Sequence, residues 1–148
     1  MGLESDINQA KFANEHQKAV VNMIYTHNWV MERMKQIFES EDLTSQQFNI
    51  LRILRGAREP LSICVIRERM LDRMSDASRI VDRLIKKGLV KKTVNKFDKR
   101  LVSVTISPRG LALLKKMDER SDEMNGVIGK ISPAEAKTLN KLLDKIRG

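Results

Sequence analysis

Apolar side chains recur along this chain with a period that changes twice, dividing it into four helices, a hairpin and two further helices. Residues 8–40 contain neither proline nor glycine, and Val20, Ile24, Val30, Met31, Met34, Ile37 and Phe38 fall at helical spacing, which predicts one long helix. Thr44-Ser45-Gln46-Gln47 reads as a capping box, with Thr44 as cap and Gln47 reaching back. Phe48, Ile50, Leu51 and Leu54 then predict a second helix ending near Gly56. Pro60 interrupts the chain, and Ser62 caps a short third helix carrying Val65, Ile66 and Met70.

The fourth helix has the sharpest pattern. Ala77, Ile80, Val81, Leu84 and Ile85 form one apolar stripe. Lys86 and Lys87 suit the negative end of the helix dipole, and Gly88 suits a left-handed cap. The period then drops to two. Leu89–Val94 is β-prone, and Val102, Val104 and Ile106 alternate with Ser103 and Thr105. Between them Asn95-Lys96-Phe97-Asp98-Lys99-Arg100 makes a polar, basic turn, so the segment predicts a hairpin with a charged tip. Ser107-Pro108 restarts a helix with Leu111, Leu114 and Met117 on one face, and Gly126 and Gly129 predict a bend or break near its end. Ser132-Pro133-Ala134-Glu135 is a second capping box, opening a last helix with Leu139, Leu142, Leu143 and Ile146 on one side.

Three helices followed by a hairpin make a winged helix-turn-helix, and the fold class is mainly α with a small β-hairpin wing. The apolar stripe of the fourth helix fixes its outward face. Asp76, Arg79, Arg83 and Lys86 share that face, with Ser75 and Ser78 near the helix start. A helix entering the major groove presents this kind of surface, with short polar groups at its N-terminal end and arginine for guanine edges or phosphates. Lys96, Lys99 and Arg100 on the hairpin tip are placed to reach a neighbouring minor groove or backbone.

Charge sharpens this picture. The chain of 148 residues carries a net charge of +9. Residues 61–110 hold 13 Lys or Arg against 5 Asp or Glu, while the other 98 residues hold 15 against 14. Nearly all the excess therefore lies in one third of the chain, which favours a polyanionic partner over a general solubility role. Aromatics, at 4%, are too few for a single-strand stacking surface. No run of apolar residues is long enough to cross a membrane, the N-terminus lacks a secretory layout, and a single cysteine suits a reducing compartment; a soluble, cytoplasmic protein is expected.

Catalytic and metal-binding patterns are absent from the sequence, so neither an enzyme nor a cofactor is expected. His16 and His27 lie eleven positions apart, about three helical turns, too far to share a metal. There is no phosphate-binding glycine loop and no nucleophile elbow. Cys64, between Ile63 and Val65, is expected to be a small buried filler, with peroxide sensing as the functional alternative. Met23, Met31, Met34, Met117 and Met124 read as core and interface packing, or as the lining of an adaptable pocket.

Residues 74–114 are similar to the MarR family of bacterial regulators. The similarity lies in the recognition helix running into Lys86-Lys87-Gly88-Leu89-Val90, the tip Asp98-Lys99-Arg100, and the strand ending before Ser107-Pro108-Arg109-Gly110. The resemblance implies a homodimer that binds double-stranded DNA at a near-palindromic operator. Residues 44–107 would form the DNA-binding lobe, and 8–40 with 108–147 the helical dimerisation region of a single 1–148 domain. It places Ser75, Asp76, Ser78 and Arg79 at the start of the recognition helix, Arg83 and Lys86 further along, Arg100 in the minor groove, and Asp98 as the acid that orients the tip. Where the family often has a second arginine this chain has Lys99, which keeps the charge but loses the planar fork, so a phosphate role is expected. Asp76 has two readings: it accepts from a cytosine amino group, or it holds Arg79. The resemblance also implies a small aromatic or anionic effector, with Tyr25, His27, Trp29 and Arg52 as candidate liners, and a repressor released by it. The alternatives are a winged helix used for protein contact and a DNA binder blind to sequence.

Overall fold

The computed structural model describes residues 2–148. The chain forms two compact units, one comprising residues up to Gln36 with Gly126–Gly148, the other Ile37–Asn125.

In the first unit a short helix α1 (Leu3–Asp6) is followed by a turn in which Asn8 takes a left-handed φ of 56°. An ion pair between Lys18 and Glu4 ties this segment to α2 (Glu15–Glu39). The long helix therefore begins at Glu15, seven residues later than the pattern predicts. Asn8 tolerates the left-handed conformation, and the Asn14 side chain accepts the Gln17 amide at 2.9 Å, a cap that fixes the new start. The unit ends in α8 (Pro133–Arg147), whose predicted capping box is present: Ser132 accepts the Glu135 amide at 3.1 Å, and Glu135 accepts the Ser132 amide at 2.9 Å.

The second unit is built on α3 (Ser45–Ala57), α4 (Ile63–Arg69) and α5 (Ala77–Lys86), with a sheet of β1 (Leu61–Ser62), β2 (Val90–Val94) and β3 (Val102–Ile106). The Thr44–Gln47 capping box opens α3, and Ser62 caps α4 by accepting the Val65 amide at 3.2 Å. At the far end of α3 the left-handed position falls on Arg58, φ 56°, and not on Gly56. The sheet is antiparallel in the order β1-β3-β2, with Val90 opposite Ile106 and Val94 opposite Val102. Its third strand, Leu61 opposite Val104, escapes the periodicity because two residues are too few to show one. Ile50, Leu51, Ile66, Val81, Leu84, Val104, Leu114 and Met117 form the fully buried core, and Phe48 stacks obliquely on Phe38 at 4.7 Å.

The helix after the hairpin, α6 (Pro108–Asp118), packs on α3 and is clasped to it by Arg55, whose guanidinium bonds both Asp118 oxygens at 2.7 and 3.2 Å. This pair holds the Asp118 carboxyl below its ordinary range, the direct hydrogen bonds from Arg55 contributing most. The helix ends at Gly126, where the glycines predict a break, but it also breaks earlier, at Glu119–Arg120, which separates α6 from α7 (Ser121–Gly126). Arg120 lies at the break. Its guanidinium donates to the Ile37 carbonyl at 3.1 Å and to Ser40, and pairs with Glu123.

Candidate nucleic-acid interface

The turn between α4 and α5 is held by its own polar atoms. Asn49 on α3 accepts the Leu71 amide at 2.9 Å, and Asp72 accepts the Met74 amide at 3.0 Å. Asp76 then caps α5, its Oδ1 accepting the Arg79 amide at 3.2 Å while Oδ2 lies 3.9 Å from Arg79 Nε. In the free chain Asp76 thus holds the helix start, with its carboxylate beside Arg79. Ala77, Val81 and Leu84 are fully buried, with Ile80 and Ile85 half-buried at the margins of the same stripe. The opposite face carries Asp76, Ser78, Arg79, Arg83 and Lys86, all exposed. Ser75 departs from that set: it is half-buried and its hydroxyl is shielded, so it belongs to the turn and not to the outward face.

The C-terminal end of α5 divides its two lysines. Lys86 faces outward, whereas Lys87 turns back to α3, donating to Gln47 Oε1 at 3.0 Å and to the Asp42 carbonyl. Gly88 takes φ 73°, as the sequence requires, and the amides of Gly88 and Leu89 return to the carbonyls of Ile85 and Leu84. The chain thus leaves the helix directly into β2.

The wing tip, residues 95–101, is ordered by two side chains. Asn95 Oδ1 accepts the amides of Phe97 and Asp98 at 2.8 and 3.1 Å. Asp98 accepts the Arg100 amide at 3.0 Å and grips the Arg100 guanidinium through both carboxylate oxygens, at 3.0 and 3.1 Å. These bonds, the side-chain ones first, lower the Asp98 pKa from its ordinary 3.8. Arg100, Lys96 and Lys99 are all exposed. Phe97, which periodicity could not single out because it lies beyond the paired strands, is 99% exposed at the centre of this basic loop. The only signal for it in the sequence is an apolar residue inside a polar turn.

One expectation changes. Cys64 is exposed, not a buried filler. It lies one residue into α4, on the side away from Ile66, and lines a groove of about 510 Å³ with Lys92, Asn95 and Arg100. The candidate effector residues divide between the two units, Tyr25, His27 and Trp29 lying on α2 in the first and Arg52 on α3 in the second. Tyr25 and Trp29 are one turn apart on α2, but His27 projects from the opposite side of that helix. The Trp29 ring is covered by Arg33 at 3.5 Å, and Arg52, on α3, lies over Phe48 at 5.8 Å. Among the described residues there is no cluster of metal-ligating side chains and no helix long and apolar enough to cross a membrane.

Residues 41–101, which include α3–α5, the first two strands and the wing tip, match the family model described as MarR family. The chain is also 30% identical over 129 residues to the multiple antibiotic resistance protein MarR of Salmonella typhimurium, covering 84% of this chain and 88% of that protein. The chain belongs to the MarR family. It is therefore a winged-helix, DNA-binding transcription regulator. The fold agrees with solved MarR-family structures. A mutant E. coli MarR complexed with operator DNA superposes with a TM-score of 0.80 at 22% identity, covering 93% of this chain and 99% of that one. Bordetella bronchiseptica BpsR, solved to explain regulation of its DNA binding by 6-hydroxynicotinic acid, superposes at 0.79 and 22% identity, covering 88% and 99%.

Proposed function

We propose that this regulator acts as a cytoplasmic homodimer on a near-palindromic operator, as a repressor released by a small effector, and catalyses no reaction. The observation that carries the DNA geometry is the exposed stripe of α5 beside an ordered basic wing. Each subunit inserts α5 into a major groove, with Ser78 and Arg79 at base edges and Arg83 and Lys86 toward the backbone. Asp76 acts through Arg79, and Ser75 sets the turn beneath them. The wing enters the adjoining minor groove through Arg100, which Asp98 orients, while Lys96 and Lys99 bind phosphates. Residues 44–107 form the DNA-binding lobe.

The dimerisation region draws on 8–40 and 108–147. Apolar side chains left exposed support it: Val20 and Ile24 on α2, and Leu139, Leu142 and Ile146 on α8, the last 63% exposed. A stripe of this kind on a terminal helix calls for a partner, and a second copy of the chain supplies one with twofold symmetry. Half-sites then lie about one helical turn apart. An effector acts by preferring the dimer whose recognition helices are wrongly spaced. Its class, small and aromatic or anionic, is suggested by BpsR and by an organohalide-sensing relative solved with 2,4-dichlorophenol. Tyr25, His27, Trp29 and Arg52 are the side chains we assign to it.

Fluorescence anisotropy tests this reading. The full chain is titrated against a duplex selected from a random pool by its own binding, and against unselected duplex, at several salt concentrations. A preference of about a thousandfold or more, at one dimer per site, supports it. Equal, salt-steep binding to both indicates a sequence-blind binder, and no binding at low salt removes the DNA role.

A further inference from the structure

Phe97 makes no packing contact that shields it from water: at 99% exposure it contributes nothing to the core. Yet its backbone is held. Its amide is held by Asn95, the loop closes through Leu101 N–H to the Asp98 carbonyl at 3.0 Å, and Asn95 N–H reaches the Leu101 carbonyl at 2.8 Å. Beside Arg100, which Asp98 orients, the tip presents Lys96, Phe97 and Lys99 to solvent. An aromatic ring standing in water on an ordered turn, bracketed by two exposed lysines, has the composition of a minor-groove wedge: cations for the two flanking phosphate chains and an apolar body for the base step between them. Ordering of the free loop lowers the cost of placing the ring on binding.

We infer that Phe97 inserts against a base step in the minor groove and partly unstacks it, adding a specificity element to the wing. The inference rests on the DNA-binding geometry proposed above. It assigns to the wing a preference for steps that open easily, TA and CA/TG, at a position where no hydrogen bond reads the base. The ring neutralises no phosphate, so its contribution is independent of salt, unlike that of Lys96 or Lys99.

The test uses the full chain and the self-selected duplex, with 2-aminopurine placed in turn at each step on the flanks of the two half-sites. Wild-type protein is expected to raise 2-aminopurine emission at one symmetric pair of steps. Phe97→Ala should abolish that rise, weaken binding about tenfold and leave the salt slope unchanged; Phe97→Leu should retain part of both effects. Replacing the responding step with a stiff A-tract step should weaken the wild type and spare Phe97→Ala. Because the ring is exposed, thermal unfolding of the variants should match wild type, which separates loss of the wedge from loss of the fold. Unchanged affinity and unchanged emission in Phe97→Ala overturn the inference while leaving the DNA-binding proposal intact, and point to a protein partner for the ring. A loss accompanied by a shallower salt slope also overturns it, because Phe97 would then only position its lysines. Failure of the wild type to select any duplex overturns both.

Discussion

Replacing Gly110 with alanine should damage this protein although alanine is the better helix former. Gly110 is the third residue of α6, where alanine would ordinarily add about 0.5–1 kcal/mol. Here a Cβ would stand 2.7 Å from Ile106 Cγ1 and 3.2 Å from the Leu89 carbonyl carbon, and closer still to the Leu89 oxygen. Carbon contacts normally settle at about 3.5–4.0 Å, so backbone must move. The backbone in the way is not free to do so. The Leu89 carbonyl accepts the Ser107 amide at 3.0 Å, and Ser107 Oγ donates to the Gly88 carbonyl at 2.7 Å while capping α6 through the Gly110 amide at 3.0 Å. Overpacking at the upper end of its usual range, about 3 kcal/mol, plus about 1 kcal/mol for a weakened hydrogen bond, less about 1 kcal/mol of propensity, leaves a loss of about 3 kcal/mol. Thermal unfolding followed by circular dichroism at fixed protein concentration should show the midpoint fall by on the order of 10 °C. Gly56→Ala is the control: nothing lies within 4 Å of its Cβ, and the same exchange should there be neutral or stabilising by about 0.5 kcal/mol. Equal stability of Gly110→Ala and wild type would refute the close-approach argument.

Three further outcomes are expected. Arg79→Ala should relax base preference at one operator position and cost about 1–3 kcal/mol there, whereas Lys99→Ala should weaken all duplexes alike and lower the salt slope by about one; anisotropy titrations on selected and random duplex separate the two. Asp98 should titrate below its ordinary 3.8 in the folded wing. Because its folded pKa is depressed, the Arg100 pairing contributes above the ordinary value and is lost as pH falls through the depressed one; an NMR titration of the carboxyl carbon should show this, and Arg100→Ala should bring the midpoint back up. Leu142→Glu, at a position 55% exposed on α8, should dissociate the dimer in sedimentation measurements while leaving the helical content of the chain unchanged.

What was legible in the sequence was local or periodic. The boxes Thr44–Gln47 and Ser132–Glu135 form as read because each closes within one turn of its own helix. The buried stripe Ala77–Val81–Leu84, and with it the outward face of α5, follows from a 3.6-residue period in a helix free of breakers. The Ser107–Gly110 motif was visible as a resemblance, and the structure gives its reason: a hydroxyl that joins two elements and a missing Cβ where a carbonyl passes. What escaped depends on contacts distant in sequence or on a single backbone choice. Arg120, at the break between α6 and α7, is held by partners some eighty residues away. Asn8 and Asn14 shorten the first long helix, where the absence of glycine and proline suggested continuity. Cys64 sits between two apolar neighbours in sequence but faces water, because a short helix buries only the side marked by Ile66.

Lys87 fixes one end of the recognition helix to the start of α3 through Gln47, itself half of a capping box. The other end, capped by Asp76, has among the described residues no comparable polar tie to α3 beyond the Asn49 bond to Leu71. Ala77, Val81 and Leu84 seat α5 in the core along its length, so the helix can move only by a small tilt, and the polar tie at Lys87 sets the end about which that tilt costs least. Ten residues at about 1.5 Å each give an arm of about 15 Å, so tilting it by about 10° moves the Arg79 end by roughly 2–3 Å and Lys86 hardly at all. That travel is about the length of a hydrogen bond. Small tilts would disengage base contacts first and backbone contacts last, so loss of sequence preference would precede loss of the DNA itself.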